Sequence, residues 1–489
     1  MEFWKLVKLM ATLSALALES LMLNSIVPII PQLLEHPLYW NEIYESGLTP
    51  LNSTKENQDV RHKLNKNTTD TIVPSTPQKC PPPPLGIEPT KSAPKDTTKL
   101  KLTLLFLSNS LVAAFFASPL SGVAADKFGY DIVLIFCLCM LLIESLIFAF
   151  FKHYIAYVIA RLLAGISGAS IFIAPAAVSR IFLKDDDMRT KMIGVSIILI
   201  GFSNLGPVYM GPMYDAFGQT FPFLLLTAAI LLTLSALLVS LIVLKCKNID
   251  DDNATTTCIQ EQNNNQEEQQ ATSLSFMQLL SDPLILIPVL LCVTGLVKCA
   301  QQPVISLWLV ENFNTGTVQR GIIWLPVFGV HVIGAGVGFL LSQRNTFFLM
   351  FIGLAVNAFL IIIMPFSPTF LIVTIIYAFI NFHESLFRFF RFNHMAYMSA
   401  HVYPTALGRV YALTKIGKDA TYLLGGSLAP VIYVDIGYRN LNVIIAAVLL
   451  TASPLALVGS ILRRQKHIVG PVQTSDEARP LFAETTGNR

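Results

Sequence analysis

Glu19 places a carboxylate inside the first apolar run of the chain, which extends from Leu6 to Leu34. An ionisable group at that depth is disfavoured by about 2.5–3.5 kcal/mol on insertion scales, so we expect it to have a role or a buried partner. Burial favours the protonated form of a carboxylate, and Glu19 can then exchange a proton for a cationic solute. The alternative is a structural acid with a polar neighbour, which is our interpretation of Glu144 in the third run.

Three charged residues share one face of the segment NFHESLFRFFRFNH. Glu384, Arg388 and Arg391 fall within about 60° of one another, because successive residues of a helix are about 100° apart. One interpretation is a cationic cavity wall that binds an anionic or zwitterionic solute. The other is an internal pair between Glu384 and Arg388, with Arg391 reaching an interface.

A second charged cluster follows in the segment TKIGKDA. Lys415 and Asp419 are one helical turn apart, and Lys418 lies close to both. Lys298 adds a further cation in an earlier apolar run. A local ion pair and a binding site for a charged solute both remain open for this cluster.

The elements that must hold these charges are membrane helices. The 489-residue chain is 53% hydrophobic and 13% charged, whereas a soluble protein carries about 25% charged residues. Because a spanning helix needs about 20 mostly apolar residues, the sequence predicts two sets of six helices. They are expected at 6–34, 102–124, 132–151, 154–181, 191–212 and 221–244, then at 283–310, 322–341, 347–365, 369–393, 408–434 and 441–462.

The predicted fold class is therefore an all-α membrane protein with twelve transmembrane helices in two six-helix bundles. The bundles are expected at 1–244 and 282–465, with a polar linker at 245–281 and a tail at 466–489. Most basic residues of the short loops fall on one side, which by the positive-inside rule makes both termini cytosolic. The loop 35–99 then faces outward or into a lumen, where its two sequons, Asn52 and Asn67, are candidates for glycosylation.

Other function classes find no support in the sequence. No zinc-ligand pair, P-loop or nucleophile elbow is present, so we expect no enzyme activity, no metal and no cofactor. The net charge of +3 is too small to indicate a nucleic-acid partner. Without a nucleotide site, transport would be driven by an ion gradient or would be passive.

A short motif connects the second and third predicted helices. The segment GVAADKFGYD contains Gly122, Asp126, Lys127 and Gly129 in the pattern G-x-x-x-D-[RK]-x-G. The glycines permit a tight turn and a close approach of helices, and Asp126 can pair across the bundle on the cytosolic side. The pattern is typical of the major facilitator superfamily.

Two later segments extend this resemblance. Arg161 begins the glycine-spaced segment RLLAGISG, which resembles a second signature of the superfamily. Gly206 and Pro207 lie in NLGPVYMGP, which resembles part of its antiporter signature. Three such segments in order within six plus six helices favour this superfamily and its two-bundle fold.

The sequence also resembles one particular family within this superfamily. The segments LMLNSIVPIIPQ, PLSGVAADKFGY and NLGPVYMGPMYDAFGQTFPFL, with the long sequon-bearing loop, resemble the vesicular amine and acetylcholine transporters. The resemblance implies exchange of luminal protons for a cytosolic cationic transmitter across a secretory or synaptic vesicle membrane. It also implies that the solute binds near the midplane between the halves.

The resemblance assigns positions residue by residue. Glu19 falls at the family's helix-1 aspartate, Asn109 at a helix-2 lysine and Gln302 at a helix-7 glutamate. Ala400 and Lys415 fall where helices 10 and 11 of the family carry acids. Glu19 is thus the retained acid of a network that is otherwise mostly replaced.

The leading hypothesis is a monomeric secondary transporter that exchanges protons for a small organic cation. One alternative is a diverged paralogue that carries an anionic or zwitterionic solute on Arg388, Arg391, Lys415 and Lys298. Another is a binding or sensing protein without net flux. A negative central cavity would favour amines, and a positive one would favour anions. The tail segment EARPLF, Glu477 to Phe482, resembles an endocytic adaptor signal or is a plain disordered tail.

Overall fold

The computed structural model describes residues 3–31, 95–183, 185–254, 275–342 and 345–469, which are almost entirely helical. Within these ranges, eleven helices are long and apolar enough to cross a membrane. The first ten are α1 (Phe3–Ile29), α2 (Lys99–Phe128), α3 (Tyr130–Phe150), α4 (Tyr154–Ile181), α5 (Asp186–Phe217), α6 (Thr220–Lys245), α7 (Pro283–Phe313), α8 (Thr317–Leu340), α9 (Thr346–Phe366) and α10 (Phe370–His401).

The last candidate span, Leu407–Arg463, contains two membrane crossings. Its 57 residues would extend about 86 Å as one helix, far more than the ~30 Å hydrocarbon core of a bilayer. The backbone leaves the helical conformation at Gly437, with φ 86° and ψ 166°, a region that favours glycine. This break separates α11 (407–436) from α12 (438–463). The predicted twelve-helix fold is thereby confirmed.

Helix α10 extends eight residues beyond the predicted boundary at residue 393 and ends at His401. The extension continues the buried face of the helix, because Met395 and Met398 are buried against Leu279 and Leu284. His394 also contributes, with Nε2 2.9 Å from the carbonyl oxygen of Leu284.

Several sequence predictions lie outside the described residues. They are the sequons at Asn52 and Asn67, most of the loop 35–99, part of the linker 245–281 and the tail segment Glu477 to Phe482. These remain predictions.

Glycines of the sequence motifs allow close contacts between helices. A Cβ atom on Gly206 of α5 would lie 2.3 Å from the carbonyl oxygen of Leu21 in α1. A Cβ atom on Gly122 of α2 would lie 2.5 Å from Cβ of Ala412 in α11. Gly129 has φ 93°, which allows the tight turn from α2 into α3. The motif glycines thus permit close packing and turning.

Replacing Gly206 with alanine is expected to destabilise the protein. The new methyl group would overlap a backbone oxygen that cannot rotate away, and overpacking of this kind typically costs about 1–3 kcal/mol. The midpoint of thermal unfolding in detergent should fall. Gly329→Ala is the matched control, because a Cβ atom there would meet nothing within 4 Å. Equal midpoints for the two variants would contradict the close α1–α5 contact.

Candidate functional site

Two small cavities adjoin one another between the two halves of the helical bundle. Each encloses about 20 Å³, room for about one water molecule, and both are lined by Ile171, Lys415 and Lys418. The first also reaches α10, through Arg388 and Arg391. The second reaches α2 through Asn109 and Ser110. It also extends along α11 to Asp419 and Tyr422.

Charged side chains on α10 form one wall. Nη2 of Arg388 donates to Oε1 of Glu384 at 3.0 Å, and Nη2 of Arg391 is 3.8 Å from the same oxygen. Nη1 of Arg391 donates at 3.1 Å to the carbonyl oxygen of Leu291, where α7 narrows to a 3₁₀ segment. The predicted pair between Glu384 and Arg388 is present. Arg391 is nevertheless buried in the bundle and does not reach an interface.

Helix α11 supplies the opposite wall. Lys415 donates to Asp419, and Oγ of Ser118 in α2 donates to the other oxygen of Asp419 at 2.5 Å. Nζ of Lys418 lies 5.2 Å from the ring centre of Tyr422. Among the described residues, Lys418 has no carboxylate at ion-pair distance. It is therefore a cavity cation without a paired acid.

The spacing of residues could have identified Lys418 as a lining residue. Positions 415, 418, 419 and 422 recur at helical spacing and so share one face of α11. The sequence alone placed Lys418 only beside Lys415, because it did not show which face of α11 meets the other half.

Glu19 is buried just behind the cavity. Its Oε1 would lie 3.6 Å from a Cβ atom on Gly168 of α4, and its Oε2 has no hydrogen-bond partner among the described residues. Lys415, Arg161 and Lys418 are the cations close enough to interact with it electrostatically. Glu19 therefore lies within reach of the cationic wall without lining it.

Two of the predicted site residues lie elsewhere in the bundle. Nζ of Lys298 in α7 donates to Oδ1 of Asn204 at 2.9 Å and to Oγ of Ser203 at 3.2 Å, both in α5. Gln302 is fully buried one turn further along α7. Neither side chain lines the two cavities. The structure thus brings together Asn109, Arg388, Arg391, Lys415 and Asp419, with Glu19 behind them.

Asp126 joins the two halves at one end of the bundle, here called the Asp126 end. Its carboxylate accepts from the backbone N–H of Gly408 at 2.7 Å and from the N–H of Arg409 at 3.1 Å. Nε of Arg409 donates to it at 3.0 Å. Lys127 beside it is exposed. These contacts tie the end of α2 to the start of α11.

Different contacts join the halves at the other end, here called the Lys99 end. Nζ of Lys99 in α2 is 2.7 Å from Oδ2 of Asp435 in α11. Oγ of Ser306 in α7 donates to the carbonyl oxygen of Val27 at 2.8 Å, and Nε of Arg320 in α8 donates to that of Pro28 at 3.1 Å. The two halves are thus joined at both ends of the bundle, with the cavities between them.

Comparisons with known proteins agree with this architecture. Residues 12–390 match the Major Facilitator Superfamily. The vesicular acetylcholine transporter of Drosophila melanogaster is 25% identical over 386 residues, 78% of this chain and 63% of that protein. The vesicular acetylcholine transporter of Tetronarce californica is 25% identical over 451 residues, 91% of this chain and 78% of that protein. The match thus spans less than two thirds of the Drosophila relative's own length.

A solved structure supports the same fold. The crystal structure of the human organic anion transporter MFSD10 (TETRAN) superposes with a TM-score of 0.61 at 14% sequence identity. The alignment covers 93% of this chain and all of that one, and at this identity it shows the fold alone. The family match covers well over half of the chain, and the relatives are membrane transporters rather than enzymes. The chain therefore belongs to the Major Facilitator Superfamily, as a multi-pass membrane protein that is distantly related to the vesicular acetylcholine transporters.

Proposed function

We propose that the chain carries a small organic solute with a negative charge, an anion or a zwitterion, through the central cavity by alternating access. The observation that supports this proposal most is the charge of the cavity wall. Four cations line it, Arg388, Arg391, Lys415 and Lys418. Two carboxylates lie beside these cations: Asp419 pairs with Lys415, and Glu384 pairs with Arg388.

The positions of these groups support an anionic solute further. Both carboxylates are already held by neighbouring cations, whereas Lys418 has no paired acid among the described residues. Charges interact more strongly away from water, so an organic cation entering this wall would be repelled, and an anion would supply the missing partner. An anionic or zwitterionic solute is the better electrostatic match.

Alternating access is supported by the two separate sets of contacts that close the cavity. The Asp126 end depends on the pair between Asp126 and Arg409, and the Lys99 end on the pair between Lys99 and Asp435. Each of these two ion pairs joins α2 to α11, at opposite ends of the two helices, so one end can open while the other stays closed. This arrangement fits a mechanism in which one bundle rocks against the other about the midplane.

The remaining sequence predictions belong to the same proposal. The bundles at 1–244 and 282–465 would lie in a secretory or synaptic vesicle membrane, with both termini, the linker 245–281 and the tail on the cytosolic side. The loop 35–99 would be luminal and glycosylated, and the Asp126 end would face the cytosol. An endocytic adaptor would bind the tail, and the protein would act as a monomer.

A second candidate is the exchange of protons for an organic cation. The similarity to vesicular acetylcholine transporters favours it, as does the buried carboxylate of Glu19 with its unpaired Oε2. In this mechanism Glu19 would release a proton when the cation arrives. The cationic wall opposes such binding, which is why we rank this candidate second.

Counterflow in proteoliposomes separates the candidates. Liposomes loaded with unlabelled succinate, γ-aminobutyrate or acetylcholine are given the same labelled solute, and exchange needs no ion gradient. We expect labelled succinate or γ-aminobutyrate to enter, while acetylcholine stays outside. Exchange of acetylcholine alone, abolished by Glu19→Gln, would support the second candidate instead. Tight binding of a solute without counterflow would indicate a binding or sensing protein.

A further inference from the structure

We propose that Glu19 and Glu144 share a single proton across Ser167, as a proton-binding site inside the first half of the transporter. The site lies behind the solute cavity and is separate from it. It involves Glu144, which the sequence analysis interpreted as a structural acid.

Ser167 connects the two acids. Its Oγ is 3.5 Å from Oε2 of Glu144, and the Ser167 side chain is also close enough to Glu19 to interact with it. A hydroxyl group can accept one hydrogen bond while it donates another. A proton on Glu19 can therefore be donated to Ser167 while Ser167 donates to Glu144, and the reverse arrangement is equally possible. The three side chains form a continuous path for one proton.

Both acids are deeply buried and incompletely bonded. Glu19 is 2% exposed and Glu144 is 1% exposed. Oε2 of Glu19 and Oε1 of Glu144 have no hydrogen-bond partner among the described residues. Buried polar atoms are normally paired, so each exception calls for an explanation, such as a catalytic role or a bound water or ion. These two oxygens lie in the same site, on α1 and α3.

The charges around the acids favour one proton rather than none or two. Arg161 of α4 is buried and interacts electrostatically with both acids. The other charged or titratable groups that face the site are Lys415 and Lys418 of α11 and the thiol of Cys137 of α3. Two carboxylates close together disfavour double ionisation, and Arg161 favours keeping one of them ionised.

The other buried acids in the described part of the chain are already neutralised. Glu384 is paired with Arg388, Asp419 with Lys415 and Asp126 with Arg409. Glu19 and Glu144 have Arg161 near them but no cation at ion-pair distance. A stably bound proton is therefore expected on this pair and not on the other acids.

The position of the site couples it to the cavity, a step that rests on the proposed function. Lys415 and Lys418 both face Glu19 and line the cavity. An anion bound to these lysines would weaken their attraction for the negative charge of Glu19 and so favour protonation. Binding of the anion and of the proton would then be mutually favourable, since linkage is reciprocal. An organic cation would have the opposite effect and release the proton.

Infrared difference spectroscopy of the full-length protein in lipid nanodiscs tests the site without any solute. We expect a carbonyl band of a protonated carboxyl group at neutral pH that disappears in alkaline buffer. Either single substitution, Glu19→Gln or Glu144→Gln, should remove the same band, because the remaining acid would be ionised beside Arg161. The matched control is Glu311→Gln, an exposed acid of α7, which should leave the band unchanged.

The outcomes are distinct. A band that persists in Glu144→Gln would place the proton on Glu19 alone and overturn the shared site. Absence of the band in the wild-type protein would overturn it without any variant, so a folding defect cannot hide the answer. Ser167→Ala, which keeps both acids, should shift the band by removing the connecting hydroxyl.

Transport tests the coupling separately. Succinate counterflow should survive in Glu144→Gln, whereas stimulation of net succinate uptake by an imposed pH gradient should be lost. Stimulation that persists in this variant would overturn the coupling. If wild-type protein shows no counterflow for any of the three solutes, the proposed transport fails while the infrared result still decides whether the proton site exists.

Discussion

Replacing Lys418 with glutamine is expected to lower succinate uptake by about ten- to a hundredfold. A hydrogen bond to a charged group contributes about 1.5–3 kcal/mol, and each 1.4 kcal/mol is about tenfold in affinity. Lys418 lines both cavities, and no carboxylate among the described residues lies at ion-pair distance from it. Its amino group is therefore available to the solute. The measurement is the concentration dependence of succinate counterflow, and the expected change is a raised half-saturation concentration.

Lys152→Gln is the matched control, because it removes one positive charge from an exposed position between α3 and α4. It should transport succinate like the wild-type protein. Lys418→Arg should recover part of the uptake, since it restores the charge with a different shape. If Lys418→Gln transports succinate as well as Lys152→Gln does, the cavity cation does not contribute to solute binding.

Replacing Asp126 with asparagine is expected to open the Asp126 end of the bundle. Removing one member of a buried ion pair costs about 3–5 kcal/mol, which corresponds to a shift of roughly a hundredfold or more in a two-state equilibrium. Arg409 would lose its carboxylate, and the backbone N–H groups of Gly408 and Arg409 would lose a charged acceptor. Spin labels at the exposed positions Ile181 and Val402, one in each half, report the opening. Their distance distribution should move to longer values.

Asp131→Asn controls for the loss of an acid at the same end. Asp131 pairs with Lys8 at 2.5 Å, but both residues lie in the first half, so this pair does not join the halves. The label distances should then stay as in the wild type. Arg409→Gln should open the same end. Adding Asp126→Asn to it should have little further effect, because both substitutions remove the same ion pair. Unchanged distances in Asp126→Asn would show that other contacts keep this end closed.

The sequence predicted ion pairs within a helix more accurately than contacts between helices. Glu384 with Arg388 and Lys415 with Asp419 are four residues apart, and helix geometry alone puts such residues side by side. Lys298 illustrates the opposite case. The sequence grouped it with the cavity cations, yet its ammonium group bonds to Asn204 on α5. The rotation of α7 about its own axis decides this, and the sequence of α7 does not specify it.

Pairs of residues far apart in the chain depend on packing in the same way. Arg409 meets Asp126 across 283 positions of sequence, and Glu144 meets Glu19 through Ser167 of a third helix. A sequence shows that each of these groups is buried, and that leaving it unpaired would cost free energy. It does not show which partner lies across the interface, because several helices offer polar groups at the same depth.

The sequence by itself therefore determined the membrane class, the twelve helices and the superfamily, because apolar runs of spanning length and glycine-spaced motifs are local in the chain. The tertiary structure decided the sign of the charge on the cavity wall and which side chains surround Glu19. Both depend on which faces of α1, α4, α10 and α11 turn toward one another. In that packing Lys415 and Lys418 line the cavity while Glu19 lies behind it beside Glu144. Long-range packing fixed these orientations and so made the wall cationic, although the relatives named above are vesicular acetylcholine transporters.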